Sequence, residues 1–330
     1  MATTQKQEEK FPMKIVVLEG LAVPEEKLRE IAKPITDQGH ELVLFEKTDD
    51  LDLQKAHVKD CEILVIGNMP LASEVIRAAE KLRYIAVAFT GYDHVDLEAC
   101  KEKNIQVSNA AGYATVAVPE LTFGLILALL RNIVATDSAT RKGRTKAGYR
   151  QQEIYGKTFG VLGTGAIGAR VARIALAFEA RVIAHDLYEK DDLKALGVEY
   201  VPLDELLAQS DIVTIHSPLL PSTKGLISKE KLALMKPTAI LVNAARGPIV
   251  DIQALTDSLQ AGTIFGAAFD VFDTEPPLAP DYPFLSAPRT VVTPHIGFAT
   301  EEAMVRRAHL TFDENIANWL KGDLKNPVLK

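Results

Sequence analysis

The sequence predicts an α/β protein made of two doubly wound parallel-sheet domains. Three observations lead to this prediction. The chain has 330 residues, 47% of them hydrophobic and 25% charged, which is ordinary globular composition and enough for two cores of usual size. Short β-branched runs alternate with helical patterns, as is typical of a parallel sheet covered on both faces. A helical pattern at 115–133 divides the alternation into two series and is suited to connect one domain to the next.

The first series contains five predicted strands, which together form a small doubly wound domain. Helices are predicted between them: Pro24 precedes Glu25 and Glu26 at one helix start, and Asp96 is placed to cap the helix that follows it. The predicted strands are residues 14–18, 42–45, 63–66, 84–89 and 105–108.

The second series contains six predicted strands, the number that a dinucleotide-binding fold uses. Helices are predicted between them, for example at 229–235 and 252–260. A last helical pattern at 300–320 has apolar residues at a spacing near four, and we expect this helix to return and pack on the first domain. The predicted strands are residues 159–162, 181–184, 212–215, 239–242, 266–269 and 290–293.

Composition excludes several classes of function. Acidic residues exceed basic ones by 44 to 37, which argues against nucleic acid and anionic membrane as partners. Cys61 and Cys100 show neither a metal-binding nor a disulfide spacing, so no metal site is predicted and both are expected to be buried or half-buried thiols in a reducing compartment. Residues 1–11 are polar, without the apolar core of a signal peptide. We therefore expect a cytoplasmic protein.

A glycine-rich turn marks the predicted cofactor site. The strand at 159–162 leads directly into Gly163, Gly165 and Gly168, and a helix is predicted from Ala169 onward. In this strand, turn and helix context the first glycine permits the turn, the second lets the backbone approach a diphosphate, and the third lets helix and strand pack closely. A dinucleotide is predicted to bind here.

An acidic residue follows at the position expected for ribose recognition. Asp186 ends the next predicted strand, 186 − 168 = 18 residues past Gly168. Its carboxylate can accept hydrogen bonds from the adenosine ribose hydroxyls and would repel a 2′-phosphate. NAD is therefore favoured over NADP.

Three charged residues follow the last three predicted strands: Arg246, Glu275 and His295. In open α/β sheets the ligand crevice lies beyond the carboxyl ends of the strands, so the three are expected at one edge. Their types suit hydride transfer to a small 2-oxo acid. Histidine supplies a proton near neutral pH, a carboxylate orients the imidazole, and the arginine fork binds the substrate carboxylate.

The chain resembles the D-isomer-specific 2-hydroxyacid dehydrogenase family. The resemblance runs from Thr90 to Gly297, and the interval of 275 − 246 = 29 residues between arginine and glutamate also agrees with the family. The segments that carry it are residues 163–168 with Asp186, 242–251, 269–277 and 293–297.

The resemblance implies a domain arrangement. Residues 1–112 and 298–330 would form a flavodoxin-like substrate domain, and residues 113–297 a Rossmann domain for NAD inserted into it. It also implies a homodimer through the NAD domain and His295 as the proton donor.

Further site residues are implied by the resemblance. Thr90 and Gly91 would bind the substrate carboxylate through backbone N–H groups, and Tyr113 would line the substrate pocket. Asp270 would lie close to the nicotinamide and Ala244 would contact its ribose. The remaining candidates for cofactor contact are Ala166, Ile167, His216, Ser217, Pro218, Thr223, Arg246, His295 and Gly297.

Other interpretations stay open. Taken singly, Arg246, Glu275 and His295 resemble a surface arginine, a turn residue and a core histidine; their joint placement favours catalysis. A hydroxypyruvate- or phosphoglycerate-type enzyme, a phosphite dehydrogenase and an NADH-sensing scaffold like the transcriptional corepressors remain alternatives. Formate dehydrogenases have glutamine at the position of Glu275, which argues against that activity. Two departures from the family pattern make a phosphorylated substrate less favoured. Phe298 follows Gly297 where many members have a small residue, and Gly67 and Asn68 stand near a position where phosphoglycerate enzymes supply an arginine.

Overall fold

The computed structural model describes residues 12–274 and 276–329. Within it the chain divides into two compact units. One unit contains the chain up to Tyr113 together with the part from Glu301 onward, and the other runs from Ala114 to Thr300. Each is built around its own parallel β-sheet, which confirms the predicted fold class.

The first unit contains a five-stranded sheet in the order β2-β1-β3-β4-β5, with every neighbouring pair parallel. This is the flavodoxin-like order, in which the ligand crevice lies at the carboxyl ends of β1 and β3. The strands are β1 (Lys14–Val17), β2 (Glu41–Leu44), β3 (Ile63–Ile66), β4 (Tyr84–Val87) and β5 (Gln106–Asn109).

Four helices alternate with these strands: α1 (Glu25–Thr36), α2 (Leu51–Val58), α3 (Ser73–Ala78) and α4 (Leu97–Glu102). The predicted cap of α4 is confirmed, since the Asp96 carboxylate accepts hydrogen bonds from the N–H groups of Glu98 and Ala99 at 3.1 and 3.0 Å. Both cysteines are buried, as expected. Burial raises the pKa of each thiol to about 12, so both stay protonated at neutral pH.

The C-terminal segment packs on this same unit, as predicted, but it is not one regular helix. It begins as an α-helix over Glu301–His309, widens to a π-helix over Leu310–Ile316 and closes with Ala317–Trp319. Apolar residues spaced by four would drift about 40° around an α-helix at each step, and the wider turn counters this drift. Ala308, Phe312 and Ile316 thereby all join the core of the unit.

The second unit contains a seven-stranded parallel sheet in the order β12-β11-β10-β9-β6-β7-β8. This is the Rossmann order, whose direction of winding reverses between β6 and β9. The strands are β6 (Thr158–Leu162), β7 (Arg181–His185), β8 (Glu199–Tyr200), β9 (Ile212–Ile215), β10 (Ile240–Asn243), β11 (Gly266–Phe269) and β12 (Thr290–Val292).

The prediction of six strands was one short. The strand missed is β8, which pairs only with β7 and has two residues, Glu199 and Tyr200. So short an edge strand has no apolar run by which a sequence pattern could reveal it.

The helix predicted at 115–133 corresponds to α5 (Ala117–Leu130). A second helix that was not predicted, α6 (Ile133–Arg141), begins where the predicted one ends, and the two are bent by 58°. The break occurs at Asn132, whose φ of 49° is left-handed and ends the first helix. The other helices of the unit are α7 (Ala166–Ala177), α8 (Asp191–Lys194), α9 (Leu203–Gln209), α10 (Lys229–Leu232) and α11 (Ile252–Ala261), with 3₁₀ turns at Gly247–Ile249 and Pro283–Ser286.

Among the described residues, no single helix has the length and apolarity to cross a bilayer; only α5 and α6 taken together do, despite their bend.

Candidate active site

The glycine turn after β6 has the close contacts that the sequence predicts. Gly163 has a φ of +90°, and a Cβ there would lie 2.7 Å from the backbone nitrogen of Ser217. A Cβ on Gly168 would lie 1.9 Å from the carbonyl oxygen of Gly163. Any side chain at either position would therefore displace the backbone of the turn.

Gly165 differs from its two neighbours in the turn. A Cβ there would meet nothing within 4 Å, so the protein leaves open space beside it. Gly165 is also the N-cap of α7, and Ala166 and Ile167 begin that helix. The first N–H groups of the helix have no partner within it and carry partial positive charge. The turn thus combines open space with the donors that suit a diphosphate.

The segment after β9 borders this turn at the point where the sheet reverses its winding. The N–H of His216 donates to the carbonyl oxygen of Leu162 at 2.7 Å, which extends the pairing of β9 with β6. Ser217 and Pro218 follow it. Thr223 closes the loop, since its hydroxyl donates to the carbonyl oxygen of Pro218 at 2.6 Å. This is the position at which open α/β sheets bind their ligands.

His216 is not suited to proton transfer at neutral pH. Both of its ring nitrogens are buried, and neither has a hydrogen-bond partner among the described residues. Burial lowers the pKa of His216 to about 3, so the ring is neutral. The cofactor contact that the resemblance implies for His216 is compatible with a neutral ring.

Asp186 stands at the end of β7 and is held by the glycine turn. Its Oδ2 accepts hydrogen bonds from the backbone N–H of Thr164 at 2.5 Å and from the Thr164 hydroxyl at 3.1 Å, and its Oδ1 accepts one from the N–H of Tyr188 at 3.2 Å. Burial acts to raise the pKa of Asp186, but these hydrogen bonds outweigh it and the pKa lies below its ordinary value. The group is therefore an anion at neutral pH.

Neighbouring strands at the other half of the sheet carry the predicted catalytic residues. Arg246 follows β10, and His295 follows β12, with β11 between them. Backbone hydrogen bonds join the three strand ends: the N–H of Asp270 donates to the carbonyl oxygen of Asn243 at 3.0 Å, and the N–H of His295 donates to that of Asp270 at 2.8 Å. The three loops thus share one hydrogen-bonded edge.

The Asp270 side chain anchors the loop that carries His295. Asp270 is buried, and its Oδ1 accepts hydrogen bonds from the hydroxyl of Thr293 at 2.6 Å and the N–H of Ile296 at 2.8 Å. Its Oδ2 accepts one from the N–H of Gly297 at 2.8 Å. Together the two oxygens bind Thr293, before His295, and Ile296 and Gly297, after it. The resemblance implies a position near the nicotinamide, and the structure adds this role as an anchor.

His295 is held in an uncommon conformation. Its φ of 57° is left-handed, and its ring meets that of Phe298 edge to face, with centroids 5.2 Å apart. A Cβ on Gly297 would lie 2.9 Å from Oδ2 of Asp270, so only glycine allows the loop to approach that carboxylate. The surroundings rather than the residue's own preference determine the direction of the imidazole.

The Arg246 loop is also tightly constrained. The buried Asn243 amide donates to the carbonyl oxygen of Arg246 at 3.0 Å and accepts from the N–H of Ala245 at 3.0 Å. A Cβ on Gly247 would lie 1.9 Å from the backbone carbonyl of Phe272, so the loop passes directly against the chain that follows β11. Arg246 itself is half-buried at this edge.

Glu275, the predicted orienting carboxylate, lies outside the described residues. Its pairing with His295 therefore stays a prediction. Ala244 is half-buried in the loop after β10, two residues before Arg246.

The predicted substrate loop belongs to the first unit. The Asn109 side chain, at the end of β5, donates to the carbonyl oxygen of Thr90 at 2.6 Å, and Gly91 follows. The fully buried Asn315 of the π-helix donates to the carbonyl oxygen of Asn109 at 2.9 Å. Tyr113 is buried, with its ring centroid 6.0 Å from that of Phe89.

Two polar networks in the structure have no counterpart among the sequence predictions. One contains Asn109 and Asn315 beside the Thr90 loop, and the other contains Thr164 beside Asp186. Each joins residues far apart in the chain, so a local pattern could not reveal it. The described residues contain no group of three or more His, Cys, Asp or Glu side chains able to hold a metal ion.

A nucleotide-binding unit with charged residues on adjacent strand ends defines a dinucleotide-dependent oxidoreductase. Comparison with known proteins narrows the class. The model for the NAD-binding domain of D-isomer specific 2-hydroxyacid dehydrogenases matches residues 123–297. The chain belongs to the D-isomer specific 2-hydroxyacid dehydrogenase family, whose members are NAD-dependent dehydrogenases acting on the CH–OH group of 2-hydroxy acids.

Individual relatives agree with this assignment. A glyoxylate reductase from Korarchaeum cryptofilum is 40% identical over 312 residues, covering 89% of this chain and 93% of the relative. A hydroxypyruvate reductase from Blautia hydrogenotrophica is 33% identical over 327 residues, covering 96% and 100%. The structure of D-lactate dehydrogenase from Aquifex aeolicus with NAD and lactic acid has a TM-score of 0.85 at 29% identity, covering 96% of this chain and 99% of that one.

Proposed function

We propose that this enzyme reduces a small 2-oxo acid to the D-2-hydroxy acid with NADH, with His295 as the proton donor. The observation that carries the proposal is the anchoring of the His295 loop by Asp270, next to the strand end that carries Arg246. Such fixed placement is what a group needs if it is to meet a reacting atom in one geometry.

Each residue has a definite task in this reaction. When bound, the dinucleotide supplies the hydride that adds to C2 of the substrate. The electron pair of the carbonyl bond moves onto the oxygen, and His295 gives that oxygen a proton from its ring. The Arg246 guanidinium binds the substrate carboxylate and stabilises the developing charge. Glu275 is proposed to orient the His295 ring, and the N–H groups of the Thr90 and Gly91 loop to bind the carboxylate.

The residues of the second unit fit NAD. The open space at Gly165 and the free N–H groups that begin α7 suit a diphosphate, and the Asp186 anion suits an unphosphorylated ribose. A 2′-phosphate would be repelled by this anion. We therefore propose NAD as the preferred cofactor.

Gly165→Ala is expected to weaken NADH binding by about tenfold or more while leaving the melting temperature unchanged. The added methyl group meets no protein atom within 4 Å, so it occupies only the space proposed for the diphosphate. Fluorescence titration with NADH and thermal unfolding measure the two effects. Gly124→Ala, in α5, is the matched control because its Cβ also meets nothing within 4 Å. Equal NADH affinity in both variants would contradict the assigned site.

The proposed reaction is tested by following NADH absorbance with a panel of 2-oxo acids. Glyoxylate, pyruvate, hydroxypyruvate, phenylpyruvate and a branched-chain 2-oxo acid span the pocket sizes that the sequence leaves open. Turnover with at least one of them, and a D-configured product on chiral chromatography, is the expected result. No turnover with any acid, combined with a stoichiometric protein partner in a pull-down, would favour the scaffold alternative instead.

Association into a homodimer and a cytoplasmic location complete the proposal. The homodimer is implied by the family resemblance and the location is expected from composition. Both stay predictions.

A further inference from the structure

Tyr200 lies on the edge strand β8 and makes two hydrogen bonds through its phenol. Its hydroxyl donates to Oγ1 of Thr164 at 3.0 Å and accepts from the backbone N–H of Lys190 at 3.1 Å. The ring also lies 5.9 Å from the ammonium group of Lys194. Tyr200 thus connects the glycine turn after β6 to the loop that follows Asp186.

The proton of each hydroxyl in this network has a defined direction. A hydroxyl has a single proton, and the phenolic proton of Tyr200 points to Thr164. Oγ1 of Thr164 is therefore an acceptor toward Tyr200, and it uses its own proton to donate to Oδ2 of Asp186 at 3.1 Å. The chain of donors runs from Tyr200 through Thr164 to Asp186.

This chain determines which oxygen of Asp186 is left for a ligand. Oδ2 already accepts two hydrogen bonds from Thr164, one from its backbone and one from its hydroxyl. Among the described residues, Oδ1 accepts a 3.2 Å hydrogen bond from the N–H of Tyr188, and the backbone N–H of Leu187 also lowers the pKa of Asp186. A carboxylate oxygen can accept about two hydrogen bonds, so Oδ1 retains capacity for a ribose hydroxyl.

We propose that Tyr200, acting through Thr164, is a specificity-determining residue that orients Asp186 for NADH and against NADPH. A carboxylate held at one oxygen cannot rotate away from a 2′-phosphate, so the repulsion between the two anions is retained. A carboxylate without this support can turn aside and admit NADPH. The inference rests on the proposed preference for NAD and adds two residues, Thr164 and Tyr200, to its cause.

The test is the ratio of kcat/KM with NADH to kcat/KM with NADPH, measured with a 2-oxo acid that the wild type reduces. Tyr200→Phe removes only the phenolic oxygen and is expected to lower this ratio roughly 3- to 10-fold, the effect of about one hydrogen bond. Thr164→Val removes the hydroxyl that contacts Asp186 and should lower the ratio at least as far. Thr164→Ser keeps that hydroxyl and should restore the wild-type ratio.

The control and the possible outcomes distinguish this inference from the proposed preference for NAD. Tyr155→Phe removes the phenolic oxygen of an exposed tyrosine and should leave the ratio unchanged. A merely structural role for Tyr200 would lower the melting temperature and both kcat/KM values together without changing their ratio. A wild type that uses both cofactors equally would overturn the NAD preference itself. A wild type that prefers NADH, with an unchanged ratio in both Tyr200→Phe and Thr164→Val, would overturn only the role of Tyr200 and Thr164.

Discussion

His295→Ala is expected to lower kcat by roughly 10²- to 10⁴-fold, the contribution of a positioned general acid. The variant removes the group that we propose gives a proton to the carbonyl oxygen as the hydride arrives. NADH binding should change little, because the glycine turn and Asp186 follow β6 and β7, whereas His295 follows β12 at the opposite edge of the sheet. Steady-state kinetics with the best 2-oxo acid and fluorescence titration with NADH measure the two quantities.

The matched control for this experiment is His309→Ala. His309 is exposed on the C-terminal helix, where its ring pairs with Asp313 at 2.7 Å. An exposed pair of this kind contributes little to stability, so kcat should remain at the wild-type value. If His295→Ala also retained wild-type kcat, the assigned proton donor would be wrong.

Asp270→Asn is expected to have the second largest effect, through the position of His295. The carboxylate accepts hydrogen bonds at both oxygens, from Thr293 and Ile296 at one and from Gly297 at the other. An amide places a donor at one of these positions, where it opposes a buried N–H group. Leaving such a group without an acceptor costs about 1–3 kcal/mol.

Two measurements report this loss. The free energy of unfolding in urea should fall by about that amount, and kcat should fall by roughly tenfold or more, since each 1.4 kcal/mol of lost positioning corresponds to a factor of ten. Asp257→Asn is the control, because Asp257 is exposed on α11, where its Oδ1 accepts a hydrogen bond from the Gln253 amide at 2.9 Å. An Asp270→Asn enzyme with unchanged stability and unchanged kcat would refute the anchoring role.

The pH dependence of stability gives a further check on Asp270. Burial raises the pKa of this carboxyl, and the hydrogen bonds from Thr293, Ile296 and Gly297 oppose the rise only in part. The folded protein therefore retains the proton to higher pH than the unfolded chain, whose aspartates titrate near pH 3.9. The stability that protonation contributes is present below that pH and is lost as the pH rises through the folded pKa. Asp270→Asn has no such group. The amount by which the free energy of unfolding of the wild type exceeds that of the variant should therefore shrink as the pH rises through this window.

The sequence was sufficient for those features that depend on local order. The parallel strands follow from short apolar runs, and the glycine turn follows from Gly163, Gly165 and Gly168 placed directly after one of them. The helix cap at Asp96 is equally local. In each case the residues that cause the structure are neighbours in the chain, so their spacing already contains the physical reason.

The network around the candidate site depended on tertiary structure. Asp270 binds N–H groups 26 and 27 residues further on, and Tyr200 reaches Thr164 across 36 residues. Such pairs meet only because strands β10 to β12, and β6 to β8, lie side by side in the sheet. Strand order is a property of the whole packed core and not of any local pattern. The sequence therefore determined which residue types were available at the strand ends, and the assembled sheet decided which of them hold one another in place.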